Sequence, residues 1–220
     1  MDGQGRALRT RRALIQAAAE VFAEEGFVHA SLRAISERAG VSSGALHFHF
    51  AHKGALAEAV EAEAAEVVRS IIRAAPGRSG DVLQTVVDAT HALMHHLAQD
   101  AVACAGFELA GDISRRANSP LRGEWHWIEE SLREAERSGT LVEGVSAADA
   151  ARIIVVATTG LQVLGSADAR WLSAHNITRF WELVLPRLAA EHCRDRLVCA
   201  GSRPRAAPPR RPPAPTDLPA

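Results

Sequence analysis

Residues 31–56 read SLRAISERAGVSSGALHFHFAHKGAL, and this stretch decides the fold. Ser31 is a good N-cap for a short helix that ends at Gly40, since its hydroxyl can accept a hydrogen bond from an unpaired backbone N–H. Ser42 can cap a second short helix almost at once, which leaves only Gly40 and Val41 as the turn. A short helix, a tight glycine turn and another short helix predict a helix-turn-helix.

Helices are predicted on both sides of this unit. The first runs from about Thr10 to Glu25, where apolar residues recur at helical spacing, and Gly26 ends it. The other begins near His52 and continues to about Arg73. Five further amphipathic stretches follow, at about 81–99, 101–110, 121–138, 146–164 and 173–192. Because no strand-like alternation is long enough to compete, we expect an all-α fold of about nine helices.

The composition narrows the class of protein. Hydrophobic residues make up 47% of the 220-residue chain and charged residues 23%, which are ordinary values for a globular protein. No run approaches the roughly 20 consecutive apolar residues of a membrane span, and the N-terminus lacks the apolar block of a secretory signal. We therefore expect a cytoplasmic protein without a membrane partner. No catalytic arrangement, zinc ligand set or phosphate-binding glycine loop stands out, so no enzyme activity, cofactor or metal is expected.

Polar side chains of the predicted helix-turn-helix are candidates for contact with nucleic acid. The second helix of such a unit lies in the major groove, where its N-terminal residues must be small or polar. At the start of the next helix, the charge of a lysine and the free backbone N–H groups can hold a phosphate. The predicted DNA-binding residues are Arg9, Ser31, Arg33, Ser42, Ser43, Gly44, Ala45, His47, His49 and Lys53. The alternative is a plain three-helix core with no DNA partner.

The same stretch resembles a known family. The run from Gly40 to Phe50, followed by Lys53 and Leu56, is similar to the signature of the tetracycline-repressor (TetR) family. Upstream positions keep the spacing of that family, namely Phe22, Gly26, Phe27, Ser31, Ile35 and Ala39. The resemblance covers about residues 8–68 and implies a dimeric repressor of transcription.

Carried over position by position, the TetR resemblance implies phosphate contacts from His49 and Lys53. It implies base or groove contacts from Ser42, Ser43 and Ala45. Two positions depart from the family, which usually has a phosphate-binding tyrosine at His47 and a carboxylate at Gly54. An imidazole can still donate to a phosphate, but the strength of that contact then depends on pH. Gly54, the second departure, lowers the helix propensity of its segment by roughly 1 kcal/mol.

A narrower resemblance extends beyond the helix-turn-helix. Residues 44–50, residues 102–109, a tryptophan near residue 125 and residues 180–186 look like the γ-butyrolactone autoregulator receptors of streptomycetes. Those receptors repress antibiotic-biosynthesis and regulatory genes until a diffusible lactone or furan arrives. The resemblance therefore implies a small hydrophobic or amphiphilic effector.

Candidates for binding that effector lie in the C-terminal half. Trp125 falls on the apolar stripe of Ile128 and Leu132 and is expected to point inward, whereas Trp127 falls to one side. A buried tryptophan offers a large flat surface and one N–H donor, and polar residues inside an apolar helix stripe can bond a lactone. The predicted ligand-binding residues are Val102, Phe107, Trp125, Trp127, Thr158, Thr159 and Gln162. Three points stay open: which tryptophan lines the pocket, whether Trp125 only packs the core, and whether the threonines bond back to their own helix.

Two further features concern assembly and metals. The last two long helices carry Trp181, Leu183, Leu185 and Leu188, which would form an exposed apolar patch in a monomer and predict a homodimer. His91 and His95 stand four residues apart, and His96 is adjacent. These histidines could lie at an interface, line a pocket or bind a metal, and the sequence leaves all three roles open.

Together these features predict four parts of the chain: a basic flexible arm (1–7), a TetR-type helix-turn-helix DNA-binding domain (8–68), a ligand-binding and dimerisation domain (75–198), and a disordered Pro/Arg-rich tail (201–220). We expect a homodimeric repressor that sits on double-stranded operator DNA at the nucleoid until an effector such as a γ-butyrolactone or furan releases it. A regulator of an efflux or catabolic operon and a pseudo-receptor for an antibiotic are alternatives. A helical carrier of hydrophobic ligands without DNA binding is another.

Overall fold

The computed structural model describes residues 2–75, 81–111 and 119–202. Within these ranges the expected all-α fold is confirmed, with nine helices of seven residues or more and one shorter helix. The helices are α1 Asp2–His29, α2 Leu32–Arg38, α3 Ser43–His49, α4 Lys53–Ala74, α5 Val82–Gln99, α6 Ala101–Gly111, α7 His126–Arg137, α8 Ala147–Ala167, α9 Ala174–Leu188 and α10 Glu191–Arg194. The predicted tail lies outside the described residues from position 203 onward.

The start of α1 differs from the sequence prediction. The helix begins at Asp2 and not near Thr10, so residues 2–7 of the predicted arm continue the helix. No proline interrupts this segment, and Gln4, Arg6 and Ala7 favour a helix, although Gly3 and Gly5 lower the helix propensity. Gly26 does interrupt α1, because its φ of 75° is a conformation that favours glycine, but one more helical turn follows and ends at His29.

Two apolar cores organise the chain. The N-terminal core is built by α1 to α4 and includes Leu14, Phe22, Ile35, Leu46, Leu56 and Val60. The C-terminal core is built by the second half of α4 together with α5, α7, α8 and α9, and it includes Val68, Leu83, Met94, Leu132, Ile154 and Trp181. Helix α4 therefore runs through both cores.

Helix α6 also contributes to both cores. Val102, Ala105 and Leu109 pack in the N-terminal core, whereas Ala103 and Phe107 pack in the C-terminal core. The side chain of Val102, one of the predicted ligand-binding residues, is buried in the N-terminal core.

The contact between α6 and α4 is close enough to require a glycine. A Cβ atom added at Gly106 would lie 2.4 Å from the Cβ of Ala64 and 3.2 Å from the carbonyl oxygen of Val60. Real Cβ atoms do not approach that closely, so the backbones of the two helices meet here without intervening side chains. The helix-turn-helix is thereby fixed directly to the C-terminal domain.

Helices α8 and α9 expose apolar side chains. On α8 these are Ile153, Val156, Val163 and Leu164, and on α9 Leu183. The expected exposure of Trp181, Leu185 and Leu188 is wrong, because the three lie on the face of α9 that is turned to the core. By length and composition alone α8 could also cross a membrane, a test that core helices of soluble proteins pass as well.

Candidate nucleic-acid interface and ligand cavity

The geometry of residues 31–50 is that of a helix-turn-helix, with both predicted serine caps formed. The Oγ of Ser31 accepts a 3.1 Å hydrogen bond from the backbone N–H of Ala34. The Oγ of Ser42 accepts one of the same length from Ala45. Gly40 makes the turn with a φ of 65°. These caps fix the residues at which α2 and α3 begin.

The N-terminal end of α3 faces outward. Ser42, Ser43, Gly44 and His47 are exposed, and Ala45 and His49 are partly exposed. Leu46 and Phe50 are buried on the opposite side, as the spacing predicts. The structure therefore brings the predicted α3 residues together on one accessible surface of small and polar groups.

Phe48 belongs to this surface, although the sequence reasoning did not select it. Its side chain is 81% exposed, and its ring meets that of His49 edge to face at 5.2 Å between centroids. The helical spacing carried the signal, since a residue two positions after the buried Leu46 lies on another face of the helix. Exposure of an apolar ring to water is unfavourable, so an exposed aromatic side chain is typical of a surface that a partner covers.

Lys53 has a different environment from the one predicted. Its ammonium group donates hydrogen bonds to the carbonyl oxygens of Phe27, Val28 and Ala30 at 2.6, 2.9 and 2.8 Å. An ammonium has three protons, so these bonds use them all. In this arrangement Lys53 connects the end of α1 to the start of α4 and has no proton left for a phosphate.

The glycine at position 54 is explained by its neighbour. The Nδ1 of His52 accepts a 3.0 Å hydrogen bond from the backbone N–H of Ala55 and so caps α4. A Cβ atom at Gly54 would stand 3.1 Å from that same Nδ1. The histidine cap and a side chain at position 54 therefore compete for the same space.

Three arginines of α1 and α2 belong to the same domain as the candidate interface. Arg9 is exposed on α1. Arg33 is exposed on α2 and pairs with Glu37 at 2.8 Å. The guanidinium of Arg11 on α1 lies 5.2 Å from the ring centre of Phe50. Surface ion pairs such as that of Arg33 are weak, so this cation can be redirected to a phosphate.

A cavity of about 270 Å³ lies in the C-terminal domain. It brings together predicted residues from three segments: Phe107 of α6, Trp125 at the start of α7, and Thr159 and Gln162 of α8. The rings of Phe107 and Trp125 meet edge to face at 6.1 Å. The wall thus combines two aromatic rings with a hydroxyl and an amide from α8.

Two other predicted residues do not line this cavity. Thr158 is fully buried, and its Oγ1 donates to the carbonyl oxygens of Ile154 and Val155 at 2.8 and 3.1 Å, which is the back-bonding alternative. Trp127 is partly buried, and its indole N–H has no hydrogen-bond partner within the described ranges. Of the two tryptophans, Trp125 is the one that lines the cavity.

The three histidines of α5 have separate environments. The Nε2 of His91 lies 2.9 Å from the carbonyl oxygen of Cys199, His95 is exposed beside Gln99, and His96 borders a second cavity. Among the residues that the structure describes, no three potential ligands gather around a point where a metal could bind.

Burial changes the acid–base properties of α6. Burial raises the pKa of the Cys104 thiol to about 11, and the nearby Glu108 carboxylate adds to this shift. Burial also raises the pKa of Glu108 itself, although the thiol of Cys104 partly opposes that shift. This thiol is therefore protonated and unreactive near neutral pH.

The structure combines two features: a helix-turn-helix with a small, polar and exposed N-terminal face on α3, and a helical domain with an apolar cavity. Helices α4 and α6 join the two. This combination defines a DNA-binding regulator with a ligand-binding domain. Known proteins agree with this class. The sequence profile of bacterial regulatory proteins of the tetR family matches residues 14–60. The A-factor receptor protein of Streptomyces griseus is 31% identical over 193 residues, which cover 86% of this chain and 67% of that protein.

Solved structures extend the likeness over both domains. The crystal structure of a γ-butyrolactone receptor, an ArpA-like protein, matches with a TM-score of 0.76 at 26% identity, covering 89% of this chain and 96% of that one. The TetR family protein CprB from Streptomyces coelicolor, in complex with its biological operator sequence, matches with a TM-score of 0.74 at 27% identity, covering 87% and 94%. The chain belongs to the TetR family of bacterial regulatory proteins.

Proposed function

We propose that this chain is a cytoplasmic transcriptional repressor that binds operator DNA as a homodimer and is released by a small diffusible signal such as a γ-butyrolactone or furan. The observation that carries the proposal is the exposed polar end of α3 on the same chain as the cavity at Trp125. The relatives named as an A-factor receptor and a γ-butyrolactone receptor support this class of signal.

In the proposed complex α3 lies in the major groove. Ser42, Ser43 and Gly44 approach the base edges, because they are small and exposed at the N-terminus of the helix. His47 and His49 donate to phosphates on either side of the groove, and exposed arginines of α1 and α2 add salt-dependent attraction. Phe48 contributes apolar contact, for which the methyl group of thymine is the natural partner.

The cavity at Trp125 suits a small amphiphilic ring. Its volume of about 270 Å³ is close to the lower end of the roughly 300–1,000 Å³ range of ligand sites. The aromatic rings of Phe107 and Trp125 can cover the apolar part of such a ligand, while Gln162 and Thr159 can bond a carbonyl or hydroxyl oxygen.

Dimerisation through α8 and α9 would place two copies of α3 on a two-fold symmetric operator. The exposed side chains of Ile153, Val156 and Leu183 form the apolar surface that a second copy can cover. Because α4 carries the helix-turn-helix and is packed into both cores, a ligand that favours another tilt of α4 changes the distance between the two α3 helices. A preference of about 1–3 kcal/mol weakens DNA binding roughly 5- to 150-fold.

A gel-shift experiment tests the proposal. The purified dimer is mixed with DNA from immediately upstream of its own gene and, in parallel, with random duplex of the same length, over a series of salt concentrations. Preference for the upstream DNA, lost when an extract of the producing culture or a synthetic γ-butyrolactone is added, supports a receptor of this class. Equal binding to both duplexes at every salt concentration rejects a sequence-specific repressor and favours a ligand carrier.

Release by a different compound would change only the ligand assignment. If the upstream complex dissociates with a drug or a fatty-acid-like compound and not with lactones, the chain is a regulator of an efflux or catabolic operon. Release by an antibiotic alone indicates a pseudo-receptor.

A further inference from the structure

A second cavity, of about 170 Å³, lies between α4 and α5 and shares no lining residue with the cavity at Trp125. Most of its wall is apolar and consists of Ile71 and alanines of both helices. Three polar residues complete the wall: Ser70, Asp88 and His96. Among the residues that the structure describes, no lysine or arginine lines the cavity.

Asp88 is the residue that distinguishes this cavity. It is only 4% exposed, so water does not solvate its carboxylate. Its Oδ1 accepts a 2.8 Å hydrogen bond from Nε2 of Gln84 and a 2.7 Å hydrogen bond from the backbone N–H of Ser202. Its Oδ2 is buried and has no hydrogen-bond partner among the described residues.

An unpartnered carboxylate oxygen needs a donor, because burial removes the water that would otherwise supply one. The polar neighbours on the cavity wall do not fill this role. The hydroxyl of Ser70 donates to the carbonyl oxygen of Val67 at 2.8 Å, and His96 makes no hydrogen bond to Asp88. Among the described residues no donor reaches this oxygen, and Asp88 lines the cavity, so a molecule bound there can supply one.

We propose that this cavity is a second binding site, which takes a small organic ammonium ion. The ammonium group donates to Oδ2 of Asp88, and the imidazole of His96 is available as a second acceptor. The apolar part of the ion packs on Ile71 and the surrounding alanines. A dry cavity of about 150 Å³ is known to hold benzene, so the volume here fits one aromatic ring or a short alkyl chain with its ammonium group.

Calorimetric titration of the full-length dimer with benzylammonium chloride tests this site. Benzyl alcohol, which has nearly the same shape and no charge, is the control ligand, and ionic strength is held constant. Asp88→Asn is the matched variant, since its amide oxygen can still accept from Gln84 and Ser202 while an NH₂ group replaces Oδ2. We expect the wild type to prefer benzylammonium at least tenfold, and the variant to lose that preference.

The position of the bound ion is read by NMR. Binding at the proposed site shifts the backbone amides of Ala89 and Ala92, which line the cavity, and leaves the indole N–H of Trp125 unchanged. Ala92→Leu fills the cavity, keeps the carboxylate of Asp88 and is expected to abolish binding of both ligands. Equal affinity for the two ligands, undiminished benzylammonium binding by Asp88→Asn, or shifts confined to Trp125 would each overturn the proposal.

Discussion

The ammonium group of Lys53 donates a 2.6 Å hydrogen bond to the carbonyl oxygen of Phe27 and lies 4.8 Å from the centre of the ring of the same residue. Helix α1 ends at His29, where the last carbonyl groups have no partner within the helix and the helix dipole attracts a cation. Lys53 therefore stabilises the end of α1, and through it the position of the helix-turn-helix between α1 and α4.

Replacing Lys53 by methionine should destabilise the fold, because three carbonyl oxygens lose a charged donor. Hydrogen bonds to charged groups contribute about 1.5–3 kcal/mol, so we expect the free energy of unfolding to fall by about that amount in urea denaturation. Arg187→Met, which removes an exposed cation from α9, is the control and should change stability little. If Lys53→Met keeps full stability and loses only DNA affinity, the lysine acts on a phosphate and not on α1.

Replacing Phe48 by alanine should separate DNA binding from stability. The side chain is 81% exposed, so we expect the free energy of unfolding to change by no more than about 0.5 kcal/mol. Loss of its contact in the groove should weaken binding to the upstream DNA about tenfold, equivalent to roughly 1.4 kcal/mol. Fluorescence anisotropy over a salt series measures both affinity and salt dependence. The salt slope should stay unchanged, because no cation is removed, and wild-type affinity would refute a role for this ring.

Replacing Gly106 by alanine should force α4 and α6 apart. The new Cβ would stand 2.4 Å from that of Ala64, and overpacking of this kind costs about 1–3 kcal/mol. Gly160→Ala is the matched control, because no heavy atom lies within 4 Å of its Cβ position. That change should raise stability by about 0.5–1 kcal/mol through helix propensity. Thermal unfolding of both variants checks the prediction. Equal melting temperatures for the two variants would contradict it.

Replacing Trp125 by alanine should leave DNA binding intact and remove the response to ligand. The tryptophan lines the cavity and packs against the C-terminal core, whereas α3 packs in the N-terminal core, so the upstream DNA should be bound with affinity within about threefold of the wild type. Ligand-induced release in the gel shift should be lost. Trp171→Ala removes an exposed tryptophan from another segment and should respond normally. Loss of DNA binding by the Trp125 variant would reject its assignment to the ligand.

The thiol of Cys104 should react slowly with iodoacetamide. Burial and the neighbouring Glu108 raise its pKa to about 11, so only about one part in a thousand is thiolate at pH 8. The alkylation rate should rise about tenfold per pH unit until the pH approaches the pKa. Mass spectrometry of the modified residue measures the rate, with the protein unfolded in urea as the reference. A folded rate equal to the unfolded one at pH 8 would contradict the burial.

Helical periodicity was sufficient to predict the helix-turn-helix from the sequence, but it was insufficient to predict which residues line the cavity. Leu46 and Phe50 are buried because they recur on one side of a helix whose other side is polar. Helix α6 is apolar nearly all round, so its sequence cannot say which of two cores Val102 or Phe107 enters. Thr158 and Thr159 are adjacent, yet one is fully buried and the other lines the cavity.

Contacts between residues that are distant in the sequence could not be predicted either. Lys53 meets a carbonyl group 26 positions earlier, and Asp88 meets a backbone N–H 114 positions later. Such pairs depend on how helices pack and leave no periodic signal. The short-range caps, by contrast, were predictable, because Ser31 and Ser42 each bond a residue three positions ahead.

The sharing of α6 between two cores has a consequence for anyone who builds chimeric regulators. Residues before α5 do not form a self-contained module, since Val102, Ala105 and Leu109 supply part of the interior that Leu14 and Val60 need. If α1 to α4 were fused to the ligand-binding domain of another regulator, they would pack against the α6 of that regulator. The N-terminal core would then be incompletely filled. Successful exchange requires the apolar face of α6 to be transplanted together with α1 to α4.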